Sequence, residues 1–251
     1  PRKSFITPSV PFAERWFIEM KITYLEHSGF TIEHEDVVMI FDYYKGRLPD
    51  MPAEKKVYVF ASHGHYDHFK RKIFQWSDAY ENIKYILSSD ITDRGPKGRT
   101  IYLEPRKEIQ LDGMKIRTLR STDEGVAFFV RLKEMTIFHA GDLNWWHWED
   151  ESETYNEMMR RNYQYEIGKI EGEKIDVAFL PLDLRQEEQF FWGMDYFMRH
   201  TDTRHVFPMH MWGRYEAYER LMERPESEGY RQKVMHITRT QQVFELEERK
   251  E

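Results

Sequence analysis

Four potential metal ligands stand within six residues at His63-x-His65-x-Asp67-His68. In an extended segment, residues two apart point the same way, so His63 and His65 can address one ion together. Asp67 and His68 lie on the turn that follows and can address a second position. Imidazole with carboxylate suits zinc, manganese, iron or nickel. Such a set can activate water for hydrolysis near neutral pH without a strong base. The bland alternative is a surface loop that happens to be rich in histidine; this spacing, directly after an apolar run, argues against it. Two later segments offer the same donor types at strand ends. His139-Ala140-Gly141-Asp142 places a carboxylate just past an apolar run, and Pro208-Met209-His210 places an imidazole likewise. Each alone reads as a turn former or a structural histidine. Together with the first loop they form a set.

The elements that must position them are legible from periodicity. Short β-branched and aromatic runs predict strands over Lys21–Leu25, Phe30–His34, Val37–Phe41 and Val57–Ala61, the last running straight into the histidine loop. A helix is expected over Lys70–Ser77. Further strands are expected over Lys84–Leu87, Met114–Leu119, Val126–Leu132 and Met135–Ala140. The polar stretch Glu153–Ile170 reads as a helix and Val177–Leu180 as a buried strand. Glu187–Arg199 and Tyr215–Met222 read as helices. Short strands are expected at Val206–Pro208, Val234–Ile237 and Val243–Leu246. This order predicts an α/β fold of α+β type, two sheets packed face to face with helices outside, an αββα four-layer sandwich. Residues 1–19 read as an N-terminal extension and residues 20–251 as one domain, because Met20 immediately precedes the first strand.

Composition narrows the chemistry. The chain has 251 residues and no cysteine, which excludes disulfide scaffolds, thiolate metal sites and thiol nucleophiles. Any metal must be held by nitrogen and oxygen, and 11 His and 44 acidic residues supply both. The formal net charge of −7 argues against a broad nucleic-acid-binding surface and for a small-molecule substrate. No apolar run is long enough to cross a membrane. With no secretory signal visible, the expected location is the cytoplasm.

The order His-x-His-x-Asp-His, then Gly-Asp, then a late His resembles the metallo-β-lactamase superfamily of hydrolases. The resemblance runs from about Met20 to Leu246. Tyr24-Leu25-Glu26-His27-Ser28-Gly29-Phe30 is similar to the opening strand of the branch that includes the ascorbate-phosphate lactonase and many uncharacterised zinc-dependent hydrolases. The resemblance implies one or two divalent ions at one edge of the sandwich, zinc first, with manganese, iron or nickel as alternatives. By position, His63 and His65 would bind the first ion, Asp67, His68 and His210 the second, and Asp142 would bridge them. Asp67 would also orient the nucleophile and accept its proton. The resemblance further implies a histidine between the first loop and the Gly-Asp strand, yet none lies between His68 and His139. The matching stretch is Arg120–Gly125. There Asp123 is either a substitute oxygen ligand or part of a simple turn.

Other residues are candidates for substrate contact. His27 reads as a site contact or a strand-end structural residue. Trp145 and Trp146 read as pocket walls or as core packing. Arg185 reads as an anion contact or a surface ion pair. His139 is expected to support the site or simply to pack. The leading function is hydrolysis of a lactone or another ester-like bond. Phosphodiester hydrolysis on the same fold is the alternative. A metal-binding or ligand-sensing member that has lost efficient chemistry is a third reading, prompted by the missing histidine. A di-iron redox protein ranks last, because Tyr66 occupies the middle of the loop and no partner domain is visible.

Overall fold

A computed structural model describes the backbone of residues 17–249. The expected extension over 1–19 falls largely outside these residues, but positions 17–19 already belong to the first strand. That strand, β1 (Phe17–Glu26), is followed by β2 (Gly29–His34), β3 (Val37–Phe41), β4 (Lys56–Ala61) and β5 (Ile83–Ser88). Next come β6 (Thr100–Leu103), β7 (Glu108–Leu111), β8 (Met114–Arg120), β9 (Val126–Leu132) and β10 (Met135–His139). The chain then alternates through α1 (Glu153–Ile167), β11 (Lys174–Pro181), α2 (Trp192–His200), β12 (Asp202–Met209), α3 (Ala217–Met222) and β13 (Val243–Arg249).

Two sheets result. One runs β13-β1-β2-β3-β4-β5-β6 and the other β12-β11-β10-β9-β8-β7. Strands β3 to β6 pair in parallel, as do β10 to β12, while the remaining pairs are antiparallel. Period-two alternation explains how the first sheet is buried on both faces. Met39 and Phe41 of β3 and Tyr58 and Phe60 of β4 point between the sheets, into the large core. Val38, Ile40, Val57 and Val59 point the other way, into a second cluster closed by Phe69 and Ile73. On the outer face of the second sheet, Phe197 of α2 lies 4.9 Å from Phe138 of β10, ring to ring. Tyr163 of α1 donates to the Gly193 carbonyl of α2 at 2.7 Å, tying the two outer helices together. The expected sandwich with helical layers outside both sheets is the observed one.

Several elements differ from expectation. Residues 71–78 form a 3-10 helix rather than an α-helix, with Ile73 buried against the first sheet. The long helix ends at Ile167 and tightens into a 3-10 turn over 168–170. Glu187 adopts φ 53°, which no α-helix accommodates, so 184–189 is a 3-10 segment and α2 starts only at Trp192. The expected strand over Val234–Ile237 reduces to one bridge from Val234 to Val206, because a 3-10 turn occupies 231–233. β6 and β7 are short additional edge strands.

Candidate metal centre

Every site residue lies on a connection at one end of the sandwich. The carboxyl ends of parallel strands β3, β4, β10, β11 and β12 converge there, as ligand sites do in sheets of this kind. β4 leads into the loop carrying His63, His65, Asp67 and His68. β10 leads to Asp142, β12 to His210, the β1–β2 turn carries His27, and the β8–β9 connection carries Asp123. The backbone is strained at several of these points. His27, Asp42 and His210 have φ of 54°, 43° and 61°, although none is glycine. Such conformations persist only where the surroundings over-determine them, and they concentrate at functional sites.

Hydrogen bonds on the outer nitrogens set which nitrogen of each ring faces inward. Buried Asp42 accepts from His68 Nδ1 at 2.7 Å and from Ser62 Oγ at 2.6 Å. Ser62 Oγ, its proton committed to Asp42, then accepts from His63 Nδ1 at 3.0 Å. Asp183 accepts from His210 Nδ1 at 2.9 Å. Assigned from this network, His63, His68 and His210 each turn Nδ1–H to an outer partner and aim Nε2 inward. All three Nε2 atoms face Asp142: His63 at 3.5 Å from Oδ2, His68 at 3.2 Å and His210 at 3.5 Å from Oδ1. Neither His68 Nε2 nor Asp142 Oδ1 has a hydrogen-bond partner, although both are buried. Three Nε2 atoms aimed at one carboxylate call for positive charge among them, supplied by a proton on His68 in the metal-free protein or by a metal ion. The residues therefore fit divalent metal.

Two groupings appear within this set. His27, Asp67, His68 and His210 bring one donor atom each within 4.8 Å of one another, as do His63, His68 and Asp142. His65, Asp123 and Asp142 form a further group. His63 Nε2 and His65 Nδ1 approach to 3.0 Å, and His65 Nδ1 lies 3.9 Å from Asp123 Oδ2. The electrostatics agree with the geometry. Burial acts to raise the Asp142 carboxyl, but His68, His210 and His63 hold it well below the usual range. Burial acts to lower the His68 imidazole, yet Asp142 and Asp42 push it well above its ordinary value. Burial and the neighbouring His68 push His63 down to about 4, and burial with His210 and His68 pushes His27 down to about 2. Both are therefore neutral ligand donors at pH 7.

A cavity of about 240 Å³ opens over these groups. Asp67, Asp123, Trp146, Trp148, Arg185 and Trp212 contribute to its wall. Trp146 Nε1 donates to the Asp142 carbonyl at 2.9 Å, tying down the loop that carries Asp142. Arg185 lies over Trp212 at 4.9 Å and Trp148 at 5.7 Å, and its Nε and Nη2 grip Asp183. Trp145 is a correction. It packs on Trp192 at 5.3 Å and Tyr196 at 6.1 Å and lines a separate groove. Trp146 and Trp148 reach the cavity, whereas Trp145 and His147 line the other groove. His27 is more intimate with the ligand set than expected: its unpartnered Nε2 lies 3.4 Å from Asp67 Oδ2. His139 is fully buried and bonds the Ser28 carbonyl at 2.9 Å, supporting the site from below. Trp148, in the same aromatic run as Trp146, also reaches the cavity wall, while Asp42, Ser62, Asp183 and Trp212 escaped the sequence reading. Asp42 and Asp183 each follow an expected strand, where an aspartate reads as a turn residue.

Comparisons with known proteins agree with this architecture. A family model described as a beta-lactamase superfamily domain matches residues 21–157, more than half of the chain. A UPF0173 metal-dependent hydrolase of Methanosarcina barkeri is 28% identical over 142 residues, spanning 50% of this chain and 62% of that relative's length. Among solved structures, Igni18, a metallo hydrolase from Ignicoccus hospitalis, superposes with a TM-score of 0.62 at 21% identity. That superposition covers 91% of this chain and 98% of Igni18. The metallo-beta-lactamase fold protein YhfI from Bacillus subtilis gives a TM-score of 0.62 at 15% identity, covering 91% of this chain and 99% of YhfI. In fold, in ligand order and by the family match, the chain belongs to the β-lactamase superfamily, with metallo-β-lactamase-fold hydrolases as its relatives.

Proposed function

We propose that this chain is a metal-dependent hydrolase acting on a lactone or another ester-like bond of a small molecule. The observation that carries the reading is the convergence of three Nε2 atoms on Asp142, an arrangement that calls for positive charge at its centre. His63 and His65 would hold one ion and Asp67, His68 and His210 the other, with Asp142 between them and His27 beside the second. Zinc and manganese both suit such donors. A divalent ion held there supplies Lewis acidity, activating water near neutral pH and stabilising developing negative charge.

The chain's own residues complete the chemistry. Asp67, reaching the cavity wall beside His27, orients the attacking water and takes its proton. Trp146, Trp148 and Trp212 form an apolar wall that limits bulk water and packs against the substrate body. Arg185 directs two of its nitrogens to Asp183, which leaves Nη1 for a substrate oxygen at the cavity wall. At about 240 Å³ the cavity suits a small molecule rather than a polymer. A phosphodiester is the second reading, favoured by the same Arg185 nitrogen, which matches a phosphate oxygen as well as a carboxylate.

The test uses purified protein, a panel of lactones and aryl esters, and bis(p-nitrophenyl) phosphate. Hydrolysis is expected to fall to background on chelation and to return with zinc or manganese. His68→Ala and Asp142→Ala should abolish it. Hydrolysis indifferent to chelation, or wild-type turnover in either variant, overturns the reading.

A further inference from the structure

We infer that Asp123 is the fourth protein ligand of the metal position formed by His63, His65 and Asp142. Its oxygen makes that position a two-nitrogen, two-oxygen site that narrows zinc's usual advantage over manganese and iron(II). The inference rests on the metal-dependent reading above.

Donor atoms sharing one ion at bonds of roughly 2.0–2.2 Å sit about 3–4 Å apart. The separations here are 3.0 Å from His63 Nε2 to His65 Nδ1, 3.5 Å from His63 Nε2 to Asp142 Oδ2, and 3.9 Å from His65 Nδ1 to Asp123 Oδ2. All fall in that window. The acidic neighbour Glu124 is not a rival. Its Oε2 lies 3.5 Å from His65 Nε2, on the far side of the ring, where it favours a proton and leaves Nδ1 free to ligate.

The turn that carries Asp123 is built to hold it there. Val126 N donates to the Ser62 carbonyl at 2.9 Å, and Ser121 N to the Gly125 carbonyl at 3.2 Å. Thr122 Oγ1 donates to the Asn144 carbonyl at 2.6 Å and accepts from Asn144 N at 3.0 Å. One connection is thus stitched to both the first ligand loop and the Asp142 loop. Gly125 makes the close approach feasible: its φ is +71°, and a Cβ there would lie 2.0 Å from the Ser62 carbonyl oxygen. The turn holds Asp123 by its backbone and leaves its half-exposed carboxylate free to ligate. A turn-forming aspartate accepts through its side chain, whereas here Ser121 Oγ accepts, taking the Asp123 N–H at 3.1 Å. The Asp123 carboxylate accepts no hydrogen bond from the described residues.

Carboxylate oxygen is a harder donor than imidazole and tolerates manganese comparatively better. The experiment strips the protein with chelator and titrates it with Mn²⁺ or Zn²⁺ alone, counting bound metal per chain. Wild type should bind two ions. Asp123→Ala and the shape-preserving Asp123→Asn should keep one and weaken the other by more than ~100-fold, since even an outer partner of a ligand is worth roughly 10–100-fold. Asp123→His should restore two ions and widen the zinc-over-manganese ratio at that position by at least ~10-fold. With Co²⁺ it should also intensify the visible absorption, as a more tetrahedral site does. Glu124→Ala should bind two ions like wild type. Two wild-type-affinity ions in both Asp123→Ala and Asp123→Asn overturn this inference and leave the functional reading standing. No ion bound to wild type overturns both.

Discussion

Asp42 has no solvent exposure and touches no substrate space, yet two imidazoles depend on it. It bonds His68 directly and His63 through Ser62, fixing the tautomer and aim of both rings. Asp183 does the same for His210. Asp42→Asn should therefore weaken metal binding by about 10–100-fold while leaving the fold intact, read by metal titration followed by thermal unfolding. Unchanged affinity would refute this role. A pH prediction belongs to the same scale. Carboxylates on both sides raise the His68 pKa, so the metal-free protein carries that proton at neutral pH. Metal binding must displace it, so apparent affinity rises as pH rises through the neutral range. Calorimetry in two buffers of different ionisation enthalpy should report proton release; a buffer-independent heat would contradict it. The clustered ligands were legible because four of them are neighbours in sequence. Asp42 and Asp183 were not, since a lone aspartate after a strand looks the same whether it ends a turn or orients a ligand. Asp123 was visible as a candidate, but a ligand carboxylate and a turn residue are the same letter in a sequence.

At the scale of elements, the strands most fully buried were the easiest to read. β3, β4, β9 and β10 are nearly continuous apolar runs between turn signals, and they appear close to where they were expected. The edge strands β6 and β7, Thr-Ile-Tyr-Leu and Glu-Ile-Gln-Leu, are short and only partly buried, so their patterns carry little signal. Helix boundaries failed where tertiary demands intervened. Asp183 accepts from Arg185 N while also holding His210, and Glu187 then leaves helical space. The connections are as exacting as the strands. Gly125→Ala should lose at least ~1 kcal/mol of stability, because a left-handed φ and the Ser62 carbonyl both oppose a side chain. It should lose metal with it, since the same turn carries Asp123. Denaturant unfolding with a metal count tests both; a stable variant holding two ions would contradict the close approach.

For the whole molecule, the sandwich is a rigid frame that holds opposed loops over one point. Its core is aromatic, with Phe41 stacked on Phe60 at 4.6 Å and on His139 at 5.1 Å, so packing runs without a break from core to site. Phe138→Ala, at the contact with Phe197, should cost about 3–5 kcal/mol, read by denaturant unfolding. Because the candidate donors at Asp142 come from connections of both sheets, bound metal should also hold the two sheets together. At free metal about 1,000 times above Kd the stabilisation is about 4 kcal/mol. For a chain of this size each kcal/mol raises Tm by roughly 2–4 °C. Among the described residues no helix is long and apolar enough to cross a membrane. The fold class was legible as a whole because it depends on the order of many runs rather than on any one boundary. The central claim is that the Nε2 atoms and Asp142 enclose divalent metal. The most direct test is a crystal soaked in manganese and measured for anomalous scattering. The account predicts two peaks flanking the Asp142 carboxylate, one among His63, His65 and Asp123 and one among Asp67, His68 and His210. An ordered site with no peak within bonding distance of Asp142 would contradict it.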